Sequence, residues 1–209
     1  MKKRHNCSDN VMKQKILNLS KHIIKKTANI VYDNKPNPLR PMLQYVKDNN
    51  DNRELTGVEI GVSFGNNAFS MLTFLPIEKL FLVDPWVKYV DDDEKVYTRH
   101  VVGYIDAKKK LAPWIEQTVF IKNFSHKAIV DIPNELDFVY IDGNHRYEYV
   151  KRDIELYYPK IRIGGVIGGH DIHHTGVVKA FVELCKDKKH FFVGDCVNQR
   201  HPDWWVVKD

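Results

Sequence analysis

Two short segments carry the side chains best suited to chemistry. Leu136-Asp137-Phe138-Val139-Tyr140-Ile141 is an apolar run that ends in Asp142, with His145 three residues further on, and Gly164-Gly165-Val166-Ile167-Gly168-Gly169 ends in His170-Asp171. Parallel strands place such ends side by side, so four polar side chains converge on one crevice. Asp142 and Asp171 supply the oxygens that a hard divalent cation needs. His170 adds a nitrogen, which favours softer metals than Mg2+. His145 stands clear of that set and is suited to act as a base, because an imidazole with an ordinary pKa of about 6.5 takes a proton near neutral pH. A single histidine at such a place reads equally well as a capped turn. Four matched positions on adjacent strand ends argue for chemistry.

A second constellation lies earlier in the chain. Gly57-Val58-Glu59-Ile60-Gly61-Val62-Ser63-Phe64-Gly65-Asn66-Asn67 passes from an apolar run through a glycine turn toward a helix. Gly61 and Gly65 let the backbone approach a ligand and adopt positive φ, and Asn66 and Asn67 can cap the following helix. Leu80-Phe81-Leu82-Val83 ends in Asp84, where an acid at the end of a second strand can hold a ribose diol by two hydrogen bonds. The loop is not the Gly-x-Gly-x-x-Gly of nicotinamide enzymes, since Val62-Ser63-Phe64 separates its glycines. Tight packing at both glycines and a simple turn at Asp84 is the competing reading.

These residues need a scaffold that brings strand ends together. From Gly57 onward short apolar runs alternate with helix-like stretches, the pattern of a parallel sheet with crossover helices. Strands are predicted at Gly57–Gly61, Lys79–Asp84, Thr118–Lys122, Asp137–Asp142 and Gly165–His170, and Phe191–Gly194 with Trp204–Lys208 predicts a terminal antiparallel hairpin. Upstream, residues 11–31 show helical spacing of apolar residues interleaved with lysines. This predicts an amphipathic helix that packs on the domain or on a second subunit, a membrane surface being the less favoured partner. Pro36, Pro38 and Pro41 break the pattern before a short helix near Met42 to Lys47. The run Asp91-Asp92-Asp93-Glu94 reads as a solvated face rather than a ligand cluster.

The whole chain is consistent with this scheme. Its 209 residues, 43% hydrophobic and 28% charged, suit one ordinary globular domain. A net charge of +5 without interleaved aromatics does not point to nucleic acid as a partner. Cys7, Cys185 and Cys196 are odd in number and unpaired in spacing, which fits a reducing, cytoplasmic setting. No apolar stretch approaches the length of a membrane span.

Taken together, Glu59-x-Gly61-x-x-x-Gly65, Val83-Asp84-Pro85-Trp86, Tyr140-Ile141-Asp142-Gly143-Asn144-His145-x-Tyr147 and Gly164 through Asp171 resemble the class I S-adenosylmethionine-dependent methyltransferases. Within that group they are most similar to the metal-dependent small-molecule O-methyltransferases of the sugar and catechol type. The resemblance implies a Rossmann-like α/β fold: a seven-stranded, mostly parallel sheet with helices on both faces and a C-terminal antiparallel hairpin, over residues 53–209. Residues 1–52 would be a helical extension serving as lid or oligomer contact. The implied cofactor is S-adenosylmethionine, with Glu59, Gly61 and Ser63 near its methionine part, Gly65 completing the loop, Asp84 on the ribose and Ser125-His126 near the adenine. Asp142, also at the cofactor's edge, would bind Mg2+ or another divalent cation together with Asp171 and His170. In the sugar enzymes a catalytic histidine follows that acid by three residues, matched here by His145; His170 departs from the Glu or Asp those families carry. The expected acceptor is a small-molecule hydroxyl. An RNA methyltransferase, a metal-dependent hydrolase and a non-catalytic cofactor-binding protein remain as alternatives.

Overall fold

The computed structural model describes residues 35–90, 96–97, 100–193 and 202–209. Strands β1 (Leu55–Ile60), β2 (Ile77–Val83), β5 (Thr118–Ile121), β6 (Leu136–Ile141), β7 (Ile161–Gly169), β8 (His190–Val193) and β9 (Asp203–Val207) form one sheet in the order β5-β2-β1-β6-β7-β9-β8. The first five pair in parallel, and β9 runs antiparallel to both β7 and β8. Strands β3 (Tyr89–Val90) and β4 (Val96–Tyr97) make a separate two-stranded ribbon. The helices are α1 (Pro41–Asp48), α2 (Asn66–Phe74), α3 (His100–Lys110), α4 (Ser125–Ala128), α5 (Tyr147–Tyr157) and α6 (Thr175–Cys185). The predicted seven-stranded, mostly parallel sheet with a terminal antiparallel hairpin is therefore present. The hairpin joins the sheet through its second strand, β9, rather than its first.

Alternation along the strands divides the core into two layers. Val58 and Ile60, Val139 and Ile141, and Trp204 and Val206 point to the face covered by α5 and α6. Phe138, Tyr140, Leu82 and Trp205 point to the face covered by α1 and α2. Glu59 shares the parity of that second face, in register with Leu82 and Tyr140. The direction of strand order reverses between β1 and β6, which are hydrogen-bonded neighbours. A crevice at the carboxyl ends of these two strands is where an open sheet of this kind binds ligands.

Residues 36–52 fall in the same compact unit as the sheet. The boundary between the chain's two units falls between Lys35 and Pro36. Pro41 opens α1 at a helix position where its missing N–H costs nothing. Met42, Leu43 and Val46 of that helix are buried in the second layer. The amphipathic helix expected over residues 11–31 and the acidic run Asp91-Asp92-Asp93-Glu94 lie outside the described residues. Among the described residues no helix is long and apolar enough to cross a membrane.

One close approach ties the central strands together. Gly57 and Phe138 are register partners on β1 and β6, and a Cβ on Gly57 would stand 2.1 to 2.5 Å from three atoms of the Phe138 ring. Gly57→Ala is expected to destabilise the fold by about 1–3 kcal/mol, since the ring is boxed in by the core and cannot retreat freely. In urea denaturation, Gly57→Ala combined with Phe138→Leu should cost clearly less than the sum of the single changes. Strict additivity would mean the two side chains do not share this space.

Candidate active site

The loop after β1 is held in a conformation that most residues avoid. Gly61 and Gly65 have φ of 91° and 72°, and Ser63, between them, has φ 51°. Gly61 lies so close to the neighbouring strand end that a Cβ would be 2.1 Å from the Asp142 carbonyl oxygen. Asp84 secures this loop. Its Oδ2 accepts from the Ser63 N–H at 2.8 Å and its Oδ1 from the Trp86 N–H at 2.6 Å. Trp86, itself at φ 46°, donates its indole N–H to the Ser63 carbonyl at 2.8 Å. One carboxylate and one indole thus clamp the first two strand ends together. A carboxylate offers about four lone pairs, so Asp84 retains acceptor capacity toward a ligand.

Glu59 lies beneath the loop, 1% exposed. Asn67 of α2 donates to its Oε1 at 2.9 Å, and Oε2 has no hydrogen-bond partner. Burial pushes this carboxyl up to about 8; the Asn67 hydrogen bond opposes the shift and the charge of Asp142 adds to it. A neutral, half-satisfied carboxyl in the interior is a costly arrangement unless a ligand completes it.

A cavity of about 390 Å³ opens at these strand ends. Gly61, Ser63 and Asp84 form one side; Phe124, Ser125 and Asp153 form another; Asp142 and His145 close it. Ser125 donates its hydroxyl to Asp153 at 2.5 Å, and burial raises the Asp153 carboxyl to about 6. His126 is not part of this lining; it stacks on Phe124 at 5.9 Å, its imidazole held below its ordinary range by desolvation and then by Arg152. Gly65 is also set back, packed against Ala107 of α3. An orphaned buried carboxyl oxygen, a glycine turn that no Cβ could enter, and a cavity combining an aromatic ring with acceptors fit the methionine, ribose and adenine parts of S-adenosylmethionine.

The acid and histidine residues are grouped differently from the sequence expectation. Asp142 Oδ2 is 3.0 Å from Arg40 Nη1, which also donates to the Tyr140 hydroxyl at 3.1 Å. Burial pushes the Asp142 carboxyl up, and Arg40 pulls it back. His170 turns its Nδ1 to Asp203 Oδ1 at 2.8 Å. Asp203 also accepts from the Tyr140 hydroxyl at 2.8 Å and the Met42 N–H at 3.1 Å. Of the expected trio Asp142, His170 and Asp171, a guanidinium holds the first, and Asp203 engages the second through Nδ1, leaving His170 Nε2 3.6 Å from Asp171 Oδ1. The group whose donor atoms converge among the described residues is His145, Asp171 and His174. His145 Nε2 lies 2.9 Å from Asp171 Oδ2. Desolvation lowers the His145 pKa, but the hydrogen bond and charge of Asp171 outweigh it, so the imidazole is held above its ordinary range.

Of the residues singled out from sequence, Gly61, Ser63, Asp84, Ser125, Asp142 and His145 line the cavity. Glu59 and Gly65 support it from below, and Asp171 stands behind His145. Sequence reasoning missed Arg40, Asp153, His174 and Asp203. Asp153 had a readable signal: it falls among Val150, Ile154 and Tyr157 on the buried stripe of α5, where an unpartnered acid is out of place. Arg40 and Asp203 had none, because each acquires meaning only through partners remote in sequence, 100 and 102 residues away for Arg40 and 33 to 161 for Asp203.

A family model described as a methyltransferase domain matches residues 58–172, more than half of the chain. An uncharacterized protein of Acanthamoeba polyphaga mimivirus is 29% identical over 119 residues, covering 54% of this chain and 50% of its own. The chain thus spans about half the length of the curated relative it matches. Among solved structures, a Staphylococcus aureus protein assigned as a caffeoyl-CoA O-methyltransferase is similar with a TM-score of 0.58 at 15% identity, over 94% of this chain and 99% of that one. An rRNA methylase from Streptococcus thermophilus gives 0.58 at 12% identity, over 80% and 93%. A Streptococcus mutans protein described as a methyltransferase, in complex with SAH, gives 0.58 at 12% identity, over 80% and 96%. At these identities the likeness is one of fold.

The state of Glu59 has a consequence for stability. Its folded pKa of about 8 lies above the ordinary value of about 4.3 in an unfolded chain. The native state then binds the extra proton, so the contribution of this group is fully present below about pH 4 and is lost as pH rises toward 8. In urea titrations of the ligand-free protein, Glu59→Gln is expected to remove that declining component, so that its stability advantage over the parent grows from pH 5 to pH 8. A difference independent of pH would mean that Glu59 is ionised in the fold.

Proposed function

The chain belongs to the methyltransferase domain family, and from that premise we propose that it methylates a hydroxyl of a small-molecule acceptor, sugar-like or phenolic, using S-adenosylmethionine. The observation that carries this reading is the place of His145. It forms part of the wall of the cavity shaped by Gly61, Ser63 and Asp84, and it is backed by Asp171 at 2.9 Å.

Asp84 keeps acceptor capacity for the two ribose hydroxyls, and Glu59 Oε2 is the acceptor for the amino group of the methionine part. Phe124 packs on the adenine, with Ser125 and Asp153 at its polar edge. When bound, S-adenosylmethionine supplies a methyl carbon made electrophilic by a sulfonium. His145 takes the acceptor's hydroxyl proton on Nδ1, while Asp171, 2.9 Å from Nε2, orients the ring and stabilises the imidazolium that forms. Arg40 supplies a fixed positive charge at Asp142, so the electrostatics of this wall are set by a side chain. Positioning and charge placement are the main contributions, as expected for transfer between two bound reactants. Sugar and phenol hydroxyls suit this wall because a weakly acidic oxygen needs a base within reach.

Two substitutions separate binding from chemistry. His145→Ala should abolish methyl transfer to a panel of hydroxylated acceptors, with SAH affinity by calorimetry changed by less than about twofold. Asp84→Ala should weaken SAH by about tenfold or more. Undiminished turnover in His145→Ala would remove the base from this reading. A further signature concerns protons: ionisation of Glu59 on meeting an ammonium group should release protons as SAH binds at pH 7, visible as a dependence of the binding heat on the buffer's ionisation enthalpy.

A further inference from the structure

His145, Asp171 and His174 bring ligand atoms within 4.8 Å of one another, and the local backbone is built to hold them there. Asp171 adopts a left-handed φ of 61°, from which the chain turns back so that the His174 N–H donates to the Asp171 carbonyl at 2.9 Å. This turn carries His174 over Asp171 immediately before α6 begins. Gly176, in the first turn of α6, is pressed on the loop that bears His145: a Cβ there would be 2.3 Å from the His145 carbonyl oxygen and 2.7 Å from the Tyr147 nitrogen. The two imidazoles consequently stack, with centroids 4.7 Å apart and planes 11° from parallel.

The spacing suits a metal. Two donors each about 2.0–2.2 Å from a zinc-like ion, at cis or tetrahedral angles, lie roughly 3 to 3.5 Å apart. His145 Nε2 and Asp171 Oδ2 are 2.9 Å apart, and His174, exposed at the surface, needs only side-chain rotation to add the third donor. An open cleft of about 490 Å³ against His145, His174 and Thr175 leaves an entry path and room for water ligands. Two imidazoles and one carboxylate select borderline cations such as Zn2+ and Co2+ over Mg2+.

We propose that His145, Asp171 and His174 form a binding site for a borderline divalent cation, and that occupation of this site blocks methyl transfer instead of assisting it. The binding stands on geometry alone; the block rests on the reading of His145 as the base. A neutral imidazole that ligates a metal through Nε2 carries its proton on Nδ1 and cannot accept the acceptor's proton there, and Asp171 cannot ligate a metal and steer that ring toward the acceptor at the same time. The site shares only Asp171 with the trio Asp142, His170 and Asp171.

The test uses the full chain, free of any purification tag, with Co2+ followed by its visible absorption and Zn2+ by calorimetry. One equivalent is expected to bind, Mg2+ should not compete, and Asp171→Asn and His174→Asn should each weaken binding by about tenfold or more. Asparagine at 174 is chosen because it serves well as a helix N-cap and so preserves the start of α6, and His190→Ala controls for stray imidazole binding. Activity with and without Zn2+ is then compared within each protein: inhibition in the parent should move to higher Zn2+ in His174→Asn, with SAH affinity unaffected by Zn2+. Absence of a stoichiometric site, or equal binding by His174→Asn, overturns the site. Turnover raised by Zn2+ overturns the block. If no acceptor is methylated under any condition, the reading of the function fails while the binding measurements still decide the site.

Discussion

Asp203 is fully buried, at 0% exposure, and an unpaired carboxylate in that position would cost several kcal/mol. It is paired on every side: the Met42 N–H of α1, the Tyr140 hydroxyl of β6 and His170 at the end of β7 all converge on it. Four segments far apart in the chain therefore meet because a single charge must be satisfied. The effect extends outward. The Tyr140 hydroxyl that donates to Asp203 also accepts from Arg40, and Arg40 in turn reaches Asp142. Polarised in this way, each bond of the chain supports the next. The position of a cation at the cavity wall follows from a carboxylate in the terminal hairpin.

The other half of the cavity is held by a comparable device of opposite character. Asp84 is engaged by backbone amides, and it over-determines a stretch of strained backbone. Ser63, Trp86 and Asp171 are non-glycine residues at positive φ, all at carboxyl ends of strands beside the cavity. Such conformations persist only where surrounding contacts leave no alternative. For Ser63 these are the amide bond to Asp84 and the indole bond from Trp86; for Asp171, the turn closed by His174. The sheet ladder continues into these ends, since Gly61, Asp142 and His170 each donate backbone N–H groups to the neighbouring strand. The loops are thereby extensions of the sheet, with its rigidity.

What could be read from the sequence was whatever leaves a local pattern. The strands stood out because buried parallel strands are continuous apolar runs, and their ends stood out because polar residues follow at once. The glycine loop and Asp84 were legible for the same reason, as was the pairing of Asp142 with a histidine three residues later. What escaped was set by contacts across the fold. Arg40 sits in a proline-rich stretch that reads as a break between helices, and Asp203 falls just before the predicted strand Trp204–Lys208. His170 stands out from its neighbour Asp171, while the direction of its ring is set by Asp203, 33 residues away. Spacing reveals which side chains share a strand end; it does not reveal which way an imidazole turns when a buried acid lies on its other side.

The position of β9 inside the sheet affects how the molecule can be made. Until residues 203–207 have emerged, β7 presents a bare edge of unpaired amides and carbonyls on the side away from β6, and β8 has no sheet partner, since β9 is the strand that joins them. The Met42 amide likewise waits for an acceptor 161 positions downstream. On a ribosome adding about 5–20 residues per second, the nascent chain spends seconds with a sticky edge exposed and with its cavity wall unassembled. Completion of the cavity wall thus waits for β9 and coincides with closure of the sheet, and a chain arrested before β9 would lack both its solubility safeguard and its fixed charge at Asp142.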